Sequence, residues 1–212
     1  YDLFTHVASP QTKLEPEQRA RLLETLVAAT KQRGLIVKGD MAPLTELQRT
    51  DNDALKAEVM RAAGAWKVGV MRTNVKQAAL DVEESSSRVQ KAALEAMADY
   101  GDEECRNVLL GVAIEDKDPE IRSHAIGQLA NLDVEQAAKA AVFFLEGIPN
   151  HSGAEPVVAS VVSIKGGAKA LAEQLSGKKI EPDVAKYALR AARAGPGDST
   201  ALQSALRKAG GL

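Results

Sequence analysis

One short pattern recurs along this chain: a polar turn, a residue that starts a helix, then an apolar stripe at helical spacing. Its clearest copy runs Asp118-Pro119-Glu120-Ile121-Arg122-Ser123-His124-Ala125-Ile126-Gly127-Gln128-Leu129-Ala130. Asp118 carries an oxygen that can cap the first free amides, and Pro119 suits the first helical position, where no amide hydrogen is needed. Ile121, Ala125, Ile126 and Leu129 then share one face. The same plan opens at 51–59, at 85–97 with Val89, Ala93, Leu94 and Met97, at 155–158 and at 181–189. The first stripe residues are Leu55, Val89, Ile121, Val158 and Val184, spaced by 34, 32, 37 and 26 residues. Such a period fits two helices and two turns. A single pair of that size cannot bury its own apolar face, so successive pairs must stack.

The partner helices are expected at about 41–49, 70–82, 102–115, 133–147, 167–176 and 199–209. Leu44 and Leu47 mark the first of these, Val108, Leu109, Val112 and Ala113 the third, and Val142, Phe143 and Leu145 the fourth. A leading helix over about 15–33 begins at Pro16 and stops before Gly34. Composition agrees: 36 of the 212 residues are Ala and only seven are aromatic. Ala is the best helix former, whereas strands favour β-branched and aromatic side chains. The segment Asn150-His151-Ser152-Gly153, which stretches one repeat to 37 residues, reads as a loop.

The string Asp-x-Asp-Pro-x-Ile-Arg-x-x-Ala-x-x-x-Leu at 116–129 resembles the HEAT repeat, of the armadillo-type α-solenoid class. Val89/Ala93 and Val184/Ala188 are weaker versions of it. The resemblance implies an all-α fold, a right-handed α-α superhelix of about five helix pairs plus a leading helix. It would occupy 15–212 as one solenoid behind an irregular segment, 1–14. The tail 202–212 and the Ala-rich repeats are also similar to the HEAT region of large bacterial multidomain proteins that resemble membrane-associated dehydrogenases with a c-type haem domain. That likeness implies a spacer or accessory role, extracytoplasmic if it holds, and carries no activity here: the chain has neither a propeller nor a Cys-x-x-Cys-His motif.

Residues that could carry chemistry do not converge. His6, His124 and His151 fall in the tail, on a repeat helix and in the expected loop, so no metal-ligand spacing is present. Cys105, the single Cys, reads as a packed thiol; a pairing with His124 would lack an orienting third group. Gly166-Gly167 and Gly210-Gly211 read as helix ends, and Asp102-Glu103-Glu104 as helix-start acidity rather than a catalytic pair. No enzyme activity and no cofactor are therefore expected. Net charge is -2, against the basic excess of a duplex binder, and no 18-residue apolar run exists to span a membrane. The first residue is Tyr1, which points to a piece of a longer chain.

What is left is interaction. Trp66 reads as core filling at a repeat junction. Arg122, on the HEAT resemblance, should bond a turn acid such as Asp116 or Asp118. Charge is segregated: 81–120 holds twelve acids and four bases, net -8, whereas 165–212 holds nine bases and four acids, net +5. This suggests two electrostatic docking surfaces. The default docking face is the groove along the second helices. A second strip follows from the helical wheel of 119–131, where Glu120, Ser123, His124 and Gly127 lie opposite the apolar stripe. Equivalent positions are Glu58 and Arg61, Lys91 and Glu95, and Lys186, Tyr187 and Arg190. Together they would line one continuous, exposed, concave strip that binds protein. The expected function is a monomeric, non-catalytic interaction or spacer scaffold, its partner a protein or neighbouring domains of the same chain. The alternatives are a nucleic-acid module resembling HEAT-like DNA glycosylases, or an accessory domain of an enzyme: a dehydrogenase/cytochrome-type protein, or one resembling the lyases that attach bilins.

Overall fold

The computed structural model describes residues 4, 7, 9, 12–35, 40–81, 85–148 and 151–212. Among the described residues there are twelve α-helices and no strand. They are α1 (Pro16–Arg33), α2 (Ala42–Leu47), α3 (Asp53–Ala65), α4 (Arg72–Leu80), α5 (Ser87–Tyr100), α6 (Glu103–Glu115), α7 (Pro119–Ala130), α8 (Val134–Gly147), α9 (Ala154–Val162), α10 (Gly167–Gln174), α11 (Pro182–Ala194) and α12 (Thr200–Gly210). Most of the segment 1–14 lies outside the described residues.

The helices begin and end where side-chain chemistry dictates. Asn52, Ser86, Asp118 and Asp133 each accept a hydrogen bond from an amide of the first turn of α3, α5, α7 and α8. Pro opens α1, α7 and α11. Gly34 and Gly101 end α1 and α5 in the left-handed region, at φ 59° and 75°. The first residue of every stripe, Leu55, Val89, Ile121, Val158 and Val184, is buried.

The chain forms two compact units, Tyr1–Val108 and Leu109–Leu212, with the division inside α6. In the first unit α1, α3 and α5 lie side by side as a row of first helices, and α4 backs onto α5. The leading helix therefore takes a place in that row, and short α2 packs against α3. Trp66 closes the α1–α3 junction: its indole Nε1 donates to Thr30 Oγ1 at 3.0 Å, and Phe4 meets its ring edge-on at 5.2 Å. In the second unit α7, α9 and α11 form one row and α8, α10 and α12 the other.

His151–Gly153 is not a loop but one turn of 3-10 helix leading into α9. It is held on three sides, by α7, α9 and α11. A methyl group on Gly153 would lie 2.6 Å from the Phe144 ring, and the His151 imidazole stacks on Tyr187 at 4.0 Å. Pro149 and Asn150, the start of the expected insertion, lie outside the described residues.

Candidate interaction surfaces

The strip read from the helical wheel divides between the two units; it is a packing side on α3, α5 and α7 and opens to solvent on α11. In the first unit it is a seam. Arg61 on α3 donates from Nε to Glu95 Oε2 on α5 at 2.6 Å, from Nη2 to Glu95 Oε1 at 3.4 Å, and from Nη1 to Glu58 Oε1 at 2.5 Å. Arg61 and Glu95 are about one-quarter exposed. Glu58, expected on the surface, is 3% exposed. The wheel placed it opposite the stripe, but that side of α3 faces the neighbouring first helices, α1 and α5. Burial raises the Glu58 carboxyl above its ordinary range, against the pull of Arg61; Glu24 pushes it the same way and Arg88 opposes. Burial alone would lower the Arg61 guanidinium, but the bonds to Glu95 and Glu58 outweigh it. Lys91, one turn before Glu95, is half-buried.

In the second unit the opposite side of α7 is likewise a packing side. A methyl group on Gly127 would stand 3.3 Å from Ser160 Cβ of α9. His124, one turn earlier, is half-buried. On α11 Lys186 and Arg190 are exposed, whereas Tyr187 is half-buried under His151. Lys186 holds Asp183 of its own helix at 2.8 Å.

The acidic stretch is partly compensated, at Glu95, Asp99, Asp102 and Glu104, while Glu103, Glu115 and Glu120 stay exposed. Bases from earlier in the chain reach across to it: Lys31 to Asp99 at 2.5 Å, Lys76 to Glu104 at 2.6 Å, and Arg72 to both Asp102 and Glu104. The hydrogen bond from the Arg72 guanidinium, helped by the Cys105 amide, holds the Asp102 carboxyl down at about 2. The hydrogen bond from Lys76 lowers Glu104. Two carboxylates held ionised in this way are poor proton donors at neutral pH. Glu83 and Glu84 lie outside the described residues. The basic end differs. Lys165, Lys179, Arg190, Arg193, Arg207 and Lys208 are all exposed, and none is ion-paired among the described residues.

Arg122 does not bond a turn acid. Its Nε donates to the Ala113 carbonyl at the end of α6, 3.1 Å away, and its guanidinium lies 5.0 Å from the Phe144 ring and 5.8 Å from that of Phe143. The helix end offers a free carbonyl and α8 offers two ring faces, and a planar cation satisfies both. Burial lowers the Arg122 pKa, while Asp116 opposes the shift through its field. Phe143, expected in the core, is 52% exposed, the one aromatic among the exposed large apolar side chains of the described residues. It shares the outward face of α8 with Glu135, Lys139 and Glu146. Ile114, beside Ala113 on α6, is 39% exposed.

The remaining candidates for chemistry stay apart. His6 is outside the described residues, and among the described residues no three His, Cys, Asp or Glu side chains are grouped to hold a metal. Cys105 is buried, its thiol pushed up by burial and by Asp102, with Arg72 Nη2 3.6 Å from the sulfur. An open groove of about 630 Å³ between α10 and α12 is floored by Ala168, Ala172, Ala201, Leu202 and Ala205 and rimmed by Lys169, Glu173, Ser176 and Asp198.

A family model described as HEAT repeats matches residues 74–148, from α4 to the end of α8. No curated protein matches the chain.

Proposed function

The chain is a HEAT-repeat helical solenoid, and on that premise we propose that it serves as a monomeric, non-catalytic protein-interaction scaffold or spacer. Its docking face is the outward side of the second helices, centred on Phe143 of α8 and Ile114 of α6. One observation carries this reading. Among the described aromatic residues, Phe143 is left half in water with an arginine against its ring. Aromatic side chains, Phe among them, and Arg are enriched at protein interfaces relative to the rest of the surface. Phe143 is already ordered by its neighbours, so little further ordering entropy opposes binding. The ligand is a protein segment, either from a partner or from neighbouring domains of the same polypeptide. Lys91, His124, Lys186, Tyr187 and Arg190 remain secondary candidates on the first helices.

The test is site-specific photo-crosslinking from position 143 in the longest natural form of the protein, with position 21, exposed on α1, as the control. Adducts specific to position 143 and lost in Ile114→Ser support the reading. Equal adducts from both positions, or adducts indifferent to Ile114→Ser, overturn it.

A further inference from the structure

We propose that the outward stripe of α11, Lys186, Arg190 and Arg193, docks an acidic helix of a partner protein, laid alongside α11 as α5 is laid alongside α3. The starting point is the Arg61–Glu95 bond. Arg61 is the sixth residue after Leu55, the first stripe residue of α3, and Glu95 is the sixth after Val89, the first of α5. Adjacent first helices thus meet with oppositely charged groups at the same repeat position, 2.6 Å apart. Arg190 is the sixth residue after Val184 on α11 and so stands in the register of Arg61. Arg61 is satisfied by the helix that follows it. Among the described residues, no helix supplies Arg190 with a carboxylate.

The surroundings favour the same occupant. Asp183, Lys186, Arg190 and Arg193 fall on one exposed face of α11, spaced three, four and three residues apart. Asp183 is held by Lys186, which leaves Arg190 and Arg193 uncompensated. The Tyr187–His151 stack borders this face. A helix presenting Glu or Asp at i, i+3 or i+4, and i+7 would match the spacing and supply the planar carboxylates that guanidinium groups bind in bidentate fashion. The surface lies on a first helix, whereas the face centred on Phe143 lies on second helices. The inference rests on the scaffold reading and gives one of its secondary surfaces an occupant, while the Phe143 face and this one can fail separately.

The experiment uses a fluorescent helical peptide of about 20 residues, six helical turns long, with Glu along one face. Its binding to the whole chain is followed by anisotropy. The expected result is saturable binding that weakens with salt and is at least about tenfold weaker for a peptide of the same composition with its Glu residues scattered. Arg190→Glu with Arg193→Glu should abolish that binding and instead capture a peptide whose Glu are replaced by Lys. If the reversal disturbs the circular dichroism spectrum, Arg190→Gln with Arg193→Gln should still lose about tenfold in affinity. Absence of binding, equal binding of the scattered peptide, retention by the altered chains, or equal displacement by duplex DNA of matched charge would each overturn the proposal.

Discussion

Gly64 of α3 meets Ala96 of α5 with no room for a methyl group between them. A Cβ on Gly64 would stand 2.4 Å from the Ala96 Cα and 2.8 Å from its carbonyl oxygen. Both obstacles are backbone, so no rotamer change relieves the clash. Gly64→Ala should therefore cost about 3 kcal/mol or more, at the upper end for overpacking. Gly69→Ala, where nothing lies within 4 Å, should stay within about 0.5 kcal/mol of wild type. Urea denaturation of the two variants checks the contrast; equal costs would mean that α3 and α5 are not in close contact.

The Arg61–Glu95 bond joins two first helices and is one-quarter exposed on each side. Arg61→Ala and Glu95→Ala should each lower stability. A double-mutant cycle should return a coupling of about 1 kcal/mol, at the top of the range for exposed pairs because water is partly excluded. A coupling of zero would show that solvent screens the pair completely.

Glu58 gives stability an unusual pH dependence. Its folded pKa is raised, so the folded chain holds this proton more tightly than the unfolded one. Its contribution is fully present below the unfolded value, near 4.5, and is lost as pH rises through the raised folded value. Glu58→Gln removes that loss. The variant should gain stability relative to wild type between pH 4 and pH 8, measured as the difference in urea midpoints at the two values. A difference that does not change with pH would mean that the pull of Arg61 fully offsets the burial of Glu58.

Arg122→Ala breaks the bond to the Ala113 carbonyl and removes the cation from the Phe143–Phe144 pair. The expected cost is roughly 1–3 kcal/mol, read as a lower melting temperature. Arg122→Lys keeps the charge without the planar fork and should recover only part of it. Asp116→Asn, which leaves both contacts in place, should change the melting temperature much less.

Helix boundaries were legible because single residues set them. Asp118 and Pro119 open α7, and Gly34 and Gly101 end α1 and α5 by chemistry local to each turn. The surfaces were not, because a helical wheel fixes directions on one helix and is silent about its neighbours. Glu58 and Arg61 lie opposite the stripe, as the spacing says, yet that direction faces α1 and α5. Arg122 took a carbonyl in place of an acid because the end of α6 lies nearer than any repeat pattern shows. Phe143 lies one residue outside the arc that Val142 and Leu145 bury, too fine a distinction for spacing alone.

Trp66, bonded to Thr30 and edged by Phe4, is the only indole in the chain and belongs to the first unit. Intrinsic fluorescence excited at the red edge is thus an optical tag placed by nature on the α1–α3 junction, and the second unit is dark at that wavelength. Far-ultraviolet ellipticity sums over both units. A denaturation curve recorded by the two probes together separates one cooperative transition from two without labelling, since coincident curves are the signature of all-or-none unfolding.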